Sequence, residues 1–151
     1  MKIKLLFCTL LMAASSYSQN IPALDVWMDK WHKSAAETRF DDFFAEMDDD
    51  FIYLGTAPGE RWTKIQFANF CKPHFDAGEA WTFVSNTRFW TFSDNKKIAW
   101  FEEDLDTWMG GCRGTGVAVK KKGKWYLKQY NLTVLIENDL IDAFIELRYG
   151  E

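Results

Sequence analysis

The sequence predicts an α+β domain in which helices come first and a curved, mainly antiparallel sheet follows. Three observations carry this. Apolar residues recur at helical spacing as far as Gly78, they then run through four long strand-like segments to Val134, and short turn-forming clusters separate those segments. At 151 residues the chain is one domain. With 8 Trp and 13 Phe it has enough ring surface for a packed core and for an aromatic-lined cavity beside it.

The N-terminus opens with Lys2 and Lys4, the apolar run from Leu5 to Ala14, and small residues at Ser16 and Ser18 around Tyr17. That is the layout of a secretory signal peptide over residues 1–18, cleaved between Ser18 and Gln19. The run is shorter than the roughly 20 apolar residues of a membrane span, so no permanent membrane anchor is predicted. Cys8 lies inside the run, not at its end, where a lipid-attachment cysteine sits. The mature chain is therefore a single domain over residues 19–151, exported to the periplasm or the extracellular space.

The mature chain starts with a helix whose buried face carries Leu24, Trp27, Met28, Trp31 and Ala35. A second helix follows with Phe40, Phe43, Phe44 and Met47 as its stripe, and the polar run Asp48-Asp49-Asp50 ends it as a solvated turn. Phe51 to Leu54 reads as a short strand closed by Gly55, Pro58 and Gly59. Thr63 is placed as an N-cap, before a helix that buries Ile65, Phe67, Phe70 and Cys71 and finishes near Pro73 and Gly78. Strands are predicted at Trp81 to Phe92, Lys97 to Thr107, Cys112 to Lys121 and Lys124 to Val134. Their turns fall at Ser93-Asp94-Asn95, Met109-Gly110-Gly111 and Lys122-Gly123. An amphipathic piece from Leu140 to Leu147 closes the chain as a short helix.

Charge and ligand chemistry exclude several classes. Without Lys2 and Lys4 the chain keeps 16 basic against 22 acidic residues, a poor balance for contacting phosphates, so no nucleic-acid partner is predicted. The one basic cluster, Lys120 to Lys124, reads as a solvated hairpin turn. Cys71 and Cys112 show no disulfide framework, and both a bridge and two free thiols stay open. His32 and His74 are the only histidines, and no Cys-x-x-Cys or His-x-x-x-His spacing exists. Asp48 to Asp50 lacks the glycine and spaced oxygens of a calcium loop. No metal and no organic cofactor are predicted.

Strand parity sorts the polar residues of the last three strands. With Lys122-Gly123 as a two-residue turn, Gly114, Gly116 and Ala118 share a face with Trp125, Leu127, Gln129 and Asn131. Across the preceding turn, Phe101, Glu103 and Leu105 join that face. Large apolar groups beside three small ones mark it as concave, with Arg113 on the opposite side. A partly buried Glu103 with a raised pKa would act as general base or bind a ligand hydroxyl or amine. Its alternative is a structural carboxylate held by Arg113, Arg61 or a tryptophan N–H. Gln129 and Asn131 would orient a ligand carbonyl or bond one another. His32 sits one position off the Trp27–Trp31 stripe, where it meets the pocket mouth or solvent, and His74 at a helix end is structural. Tyr53 and Trp81 pack the core or line the pocket.

At Gly55-Thr56, Glu60-Arg61-Trp62, Phe75, Trp81, Ala99-Trp100-Phe101 with Glu103, Arg113-Gly114-Thr115-Gly116-Val117, Trp125 and Gln129-Tyr130-Asn131-Leu132, the sequence resembles the SnoaL-like branch of the nuclear transport factor 2-like (NTF2-like) superfamily. The resemblance implies a cone-shaped fold, helices packed in the concave face of a strongly curved mixed sheet, a pocket at the open end and frequent homodimers. The superfamily spans isomerases, cyclases, dehydratases and members that only bind, so the fold alone does not set the chemistry. The resemblance implies, for isomerase- and cyclase-type members, a catalytic Asp or an Asp–His pair in the pocket, with the Asp near the end of the first strand. This chain has Gly55-Thr56 there with Glu60 as the nearest carboxylate, so those roles are not carried across.

The resulting expectation is an exported, homodimeric protein binding a small, largely apolar ligand. Its pocket takes His32, Tyr53, Thr56, Glu60, Trp81, Phe101, Gln129 and Asn131, with Arg61 and Arg113 as structural polar groups. Two alternatives stand beside it: a cofactor-independent isomerase, cyclase or dehydratase using Glu103 as general base, and an interaction module whose outer face carries Trp90 and Trp100.

Overall fold

The computed structural model describes residues 22–150, and the signal peptide read at 1–18 with its cleavage site lies outside them. In chain order the elements are α1 (Pro22–Ala36), α2 (Phe40–Ala45), β1 (Met47–Leu54), β2 (Arg61–Thr63), α3 (Lys64–Ala77), β3 (Val84–Phe92), β4 (Ile98–Thr107), β5 (Gly110–Lys121), β6 (Lys124–Val134) and α4 (Ile141–Tyr149). The six strands form one mixed sheet in the order β2-β1-β6-β5-β4-β3, curled but not closed. Only the β1–β6 pairing is parallel. The first three helices cover the concave face, burying Met28 and Trp31, Phe43 and Phe44, and Phe67, Cys71 and Phe75 against Phe51, Phe101, Leu105 and Leu127 of the sheet.

Local chemistry accounts for the clearest boundaries. Thr63 and Gln66 form a capping box at the start of α3, each side chain meeting the other's backbone N–H. Gly78, at φ 73°, ends α3 in the left-handed conformation that a side chain disfavours. Lys121 pairs with Lys124 across the two-residue turn Lys122-Gly123, both with positive φ, as the twist of a tight hairpin requires.

Three elements differ from the sequence expectation. Asp48 to Asp50 lie inside β1, and Met47 heads that strand instead of ending α2. The reason is tertiary: buried Asp48 bonds Lys121 at 2.6 Å and faces Lys128 at 3.6 Å. Burial pushes the Asp48 carboxyl up, but these lysines and the Asp49 N–H pull it further down, to a net lowering. The basic cluster read as a solvated turn therefore anchors β1. β2 is a three-residue strand with no alternation to announce it. Ile65 is 74% exposed, because the buried stripe of α3 runs through Phe67, Cys71 and Phe75.

Register decides which residues face inward. β4 and β5 pair without interruption from Ile98 opposite Val119 to Thr107 opposite Gly110. Between β5 and β6 the pairing steps from Val117–Gln129 to Ala118–Leu127, leaving Lys128 as a bulge. Beyond that residue every side chain of β6 changes face.

Candidate ligand-binding site

Glu103 sits opposite Gly114 in β4 and is 1% exposed. Oε1 accepts from His32 Nε2 at 2.8 Å and from the Tyr130 hydroxyl at 2.7 Å. Oε2 accepts from Arg88 Nε at 2.9 Å and Arg88 Nη2 at 2.7 Å, two charge-assisted bonds from one guanidinium to one oxygen. Arg88 also reaches Asp29 at 2.9 Å and Asp25 at 3.4 Å, and Trp90 Nε1 donates to Asp25 at 2.8 Å. This network ties α1 to β3, β4 and β6. Gly114 and Gly116 give it room, since a Cβ on Gly114 would stand 2.2 Å from the Tyr130 hydroxyl and one on Gly116 2.5 Å from the Phe101 ring.

The electrostatics reverse one expectation. Burial pushes the Glu103 carboxyl up, but His32, Arg88 and Tyr130 pull it down further, to about 2. The carboxylate is thus ionised and accepts a hydrogen bond on both oxygens, the opposite of a base with a raised pKa waiting for a proton. Because an ionised carboxylate only accepts, His32 Nε2 carries hydrogen, and the imidazole is left to act through Nδ1. Nδ1 has no hydrogen-bond partner among the described residues.

His32 and Tyr130 separate Glu103 from a cavity of about 210 Å³ between the helices and the open end of the sheet. Its walls are mostly rings. Tyr53 stacks on Phe67 at 4.0 Å and 6°, Trp62 lies against Phe70 at 4.6 Å, and Phe70 stacks on Trp81 at 5.8 Å and 14°. Trp108, 77% exposed at the β4–β5 turn, stands at the mouth. Trp31 also lines it, and its buried Nε1–H has no partner among the described residues. Burial, then the neighbouring Cys71 and Glu60, push the Tyr53 hydroxyl up, so it is a neutral donor and acceptor.

Of the residues selected from sequence, the cavity gathers His32, Tyr53, Thr56, Glu60 and Trp81. Glu60 packs on Gly55 and accepts from the Ala57 N–H at 3.0 Å, with no cation within 4.0 Å among the described residues. Three selections fall elsewhere. Gln129 and Asn131 are on the outer face, where Asn131 bonds Thr133, because the bulge at Lys128 turns Tyr130 and Leu132 inward instead. Phe101 is buried core against Trp90 at 4.6 Å and does not line the cavity. Arg113 is on the outer face with Asp104 at 3.3 Å, and Arg61 is exposed on β2, so neither holds Glu103. Arg88 does, and sequence reasoning missed it. The signal was available: Arg88 has the parity of buried Trp90 and lies directly opposite Glu103. Trp90 itself is 4% exposed, so it shares no outer face with Trp100. Cys71 and Cys112 are free and buried, and burial pushes the Cys71 thiol up to about 12.

The family model for the SnoaL-like domain matches residues 25–137. The chain belongs to the SnoaL-like family. Solved structures agree on the fold. A domain of unknown function with a cystatin-like fold from Nostoc punctiforme superposes at TM-score 0.69 with 13% identity, over 86% of this chain and 85% of that one. An NTF2-like protein from Cytophaga hutchinsonii gives 0.62 at 13% identity, over 78% and 100%. A provisionally named scytalone dehydratase from Novosphingobium aromaticivorans gives 0.63 at 12%, over 76% and 83%. No curated protein matches the sequence. These solved structures share the fold of this chain, and no described helix is long and apolar enough to cross a membrane. In this SnoaL-like chain, β1 runs out at Leu54 into Gly55-Thr56, and the ionisable ring at the cavity comes from α1.

Proposed function

We propose that this SnoaL-like domain binds a small, flat, largely apolar molecule in the aromatic cavity, and that it does so outside the cytoplasm as a homodimer. The observation that carries the reading is a ring-walled space of about 210 Å³ that ends on a histidine fixed from behind by Glu103. The space is below the ~300–1,000 Å³ typical of pockets for drug-sized ligands, which favours a molecule of one or two rings. His32 and the unpartnered Trp31 N–H would meet its polar group. Export rests on the residues from Lys2 to Ser18, and dimerisation on the apolar side chains Phe89, Ile98 and Trp100 exposed on the sheet.

A second reading is favoured by the His32–Glu103 pair. Here Glu103 positions the imidazole, Nδ1 moves a proton on a carbon next to a carbonyl, and the Tyr53 hydroxyl polarises that carbonyl. It replaces the assignment of Glu103 as the base.

Native mass spectrometry of protein purified from its own cells tests the binding reading. The expected result is a retained small molecule that is lost when Ala35→Phe fills the cavity. Absence of any retained mass, together with unchanged tryptophan fluorescence across a panel of aromatic metabolites, overturns it. If the retained compound is turned over by the protein and His32→Gln binds it without turnover, the second reading holds.

A further inference from the structure

The charge inventory of the cavity is one-sided. None of its lining residues is Lys or Arg, and Arg88 is committed to Glu103, Asp25 and Asp29 behind the wall. The buried carboxylates elsewhere are all neutralised: Glu103 by Arg88, Asp48 by Lys121, Glu46 by Lys124 at 3.6 Å and Lys30 at 3.8 Å. Glu60, which is not fully buried, has no such partner. It is half-buried on the cavity wall and its carboxylate meets only the Ala57 N–H. Around it the wall carries Trp31, Trp62, Trp81 and Trp108, four of the protein's eight tryptophans, together with Tyr53.

We infer that the cavity selects a cationic ligand, an ammonium group with an apolar body, held by the indole faces and by the unpaired Glu60 carboxylate. This rests on reading the cavity as a ligand site and adds the charge of what it takes. The physics is that of an aromatic cage. Indole has the most negative ring face of the aromatic side chains, and a cation over it gains most where water is excluded. An anion finds no Lys or Arg on this wall, and a neutral ligand leaves the half-buried Glu60 carboxylate with only the Ala57 N–H. An alkylated ammonium pays little to leave water and satisfies both features at once.

The test is isothermal titration of the full mature chain with phenyltrimethylammonium, its uncharged isostere tert-butylbenzene, and benzoate. Phenyltrimethylammonium is expected to bind about tenfold or more tightly than tert-butylbenzene, and benzoate not at all. Glu60→Gln keeps the acceptor for the Ala57 N–H and should bring the cation's affinity down toward that of the isostere, leaving the isostere unchanged. Trp108→Leu, at an exposed position, should weaken the cation more than the isostere. Equal or tighter binding of tert-butylbenzene, or a Glu60→Gln chain that binds the cation as before, overturns the inference and leaves the binding site standing. If none of the three compounds binds, the inference falls with the site.

Discussion

Glu103 and Glu60 stand on either side of one ring-walled space, and their surroundings are opposite. Glu103 is sealed behind His32 and Tyr130 and accepts four hydrogen bonds, two of them from one guanidinium. Glu60 is on the wall itself, with a single backbone N–H. A carboxylate saturated by a buried cation holds the fold and aims its neighbours, because its charge is already spent. One without a cation keeps its field for whatever enters. The difference teaches that the side chain most conspicuous in the sequence, a glutamate in the middle of a sheet, is the less available of the two for chemistry.

The largest effect should come from breaking the saturated side. Glu103→Leu leaves Arg88 buried with only Asp29 and Asp25, and frees His32 and Tyr130. Removing one partner of a buried pair costs about 3–5 kcal/mol. Urea denaturation should show that loss, whereas Glu60→Gln should stay within about 0.5 kcal/mol of the parent, as surface substitutions do. Equal losses for the two variants would dissolve the contrast.

Acid should expose the same asymmetry. The Glu103 carboxyl titrates at about 2 in the folded chain against 4.5 without its partners. Between those values the unfolded state binds more protons, so stability falls as pH is lowered through the window and is complete above it. The shift is worth on the order of 3 kcal/mol. Melting temperatures followed from pH 5 to pH 2 should drop in the parent and drop less in Glu103→Gln. A parallel decline in both would place the acid sensitivity elsewhere, Asp48 being the other carboxylate whose lowered pKa works in the same direction.

Much of this arrangement is legible in the sequence, and the failures have specific causes. Unbroken alternation in β4 and β5 puts Phe101, Glu103 and Leu105 on one face with Gly114, Gly116 and Ala118, and the structure has them there. The same counting continued into β6 selects Gln129 and Asn131, because nothing local marks Lys128 as a bulge. Its neighbours Leu127 and Gln129 are ordinary strand residues. One extra residue exchanges a pair of amides for Tyr130 and Leu132. The acidic run at Asp48 fails for a different reason: its partners, Lys121 and Lys128, are distant in the chain, and local turn propensity yields to them. A cavity is expected from the sequence and five of its residues are selected there, but Trp62, Phe70 and Trp108 of its wall are not. They come from separate parts of the chain, and no periodicity in one segment reports on another.

The smallest effect probes the joint between the two regions. Gly114 is where β5 passes closest to the network. A Cβ there would lie 2.2 Å from the Tyr130 hydroxyl oxygen and 3.0 Å from Glu103 Cγ. Tyr130 has little room to yield, being fully buried, bonded to Glu103 and tilted against Phe101 at 6.1 Å. Gly114→Ala should therefore cost about 1–3 kcal/mol through overpacking. In a Tyr130→Phe background, which removes the oxygen, the same substitution should cost at least about 0.5 kcal/mol less, a coupling of the kind that residues in contact show. Strict additivity of the two changes would mean that Tyr130 does not stand over Gly114, and Tyr130 would then no longer divide Glu103 from the cavity. Coupling of the expected sign would leave His32 and the Glu60 wall as the groups a ligand meets.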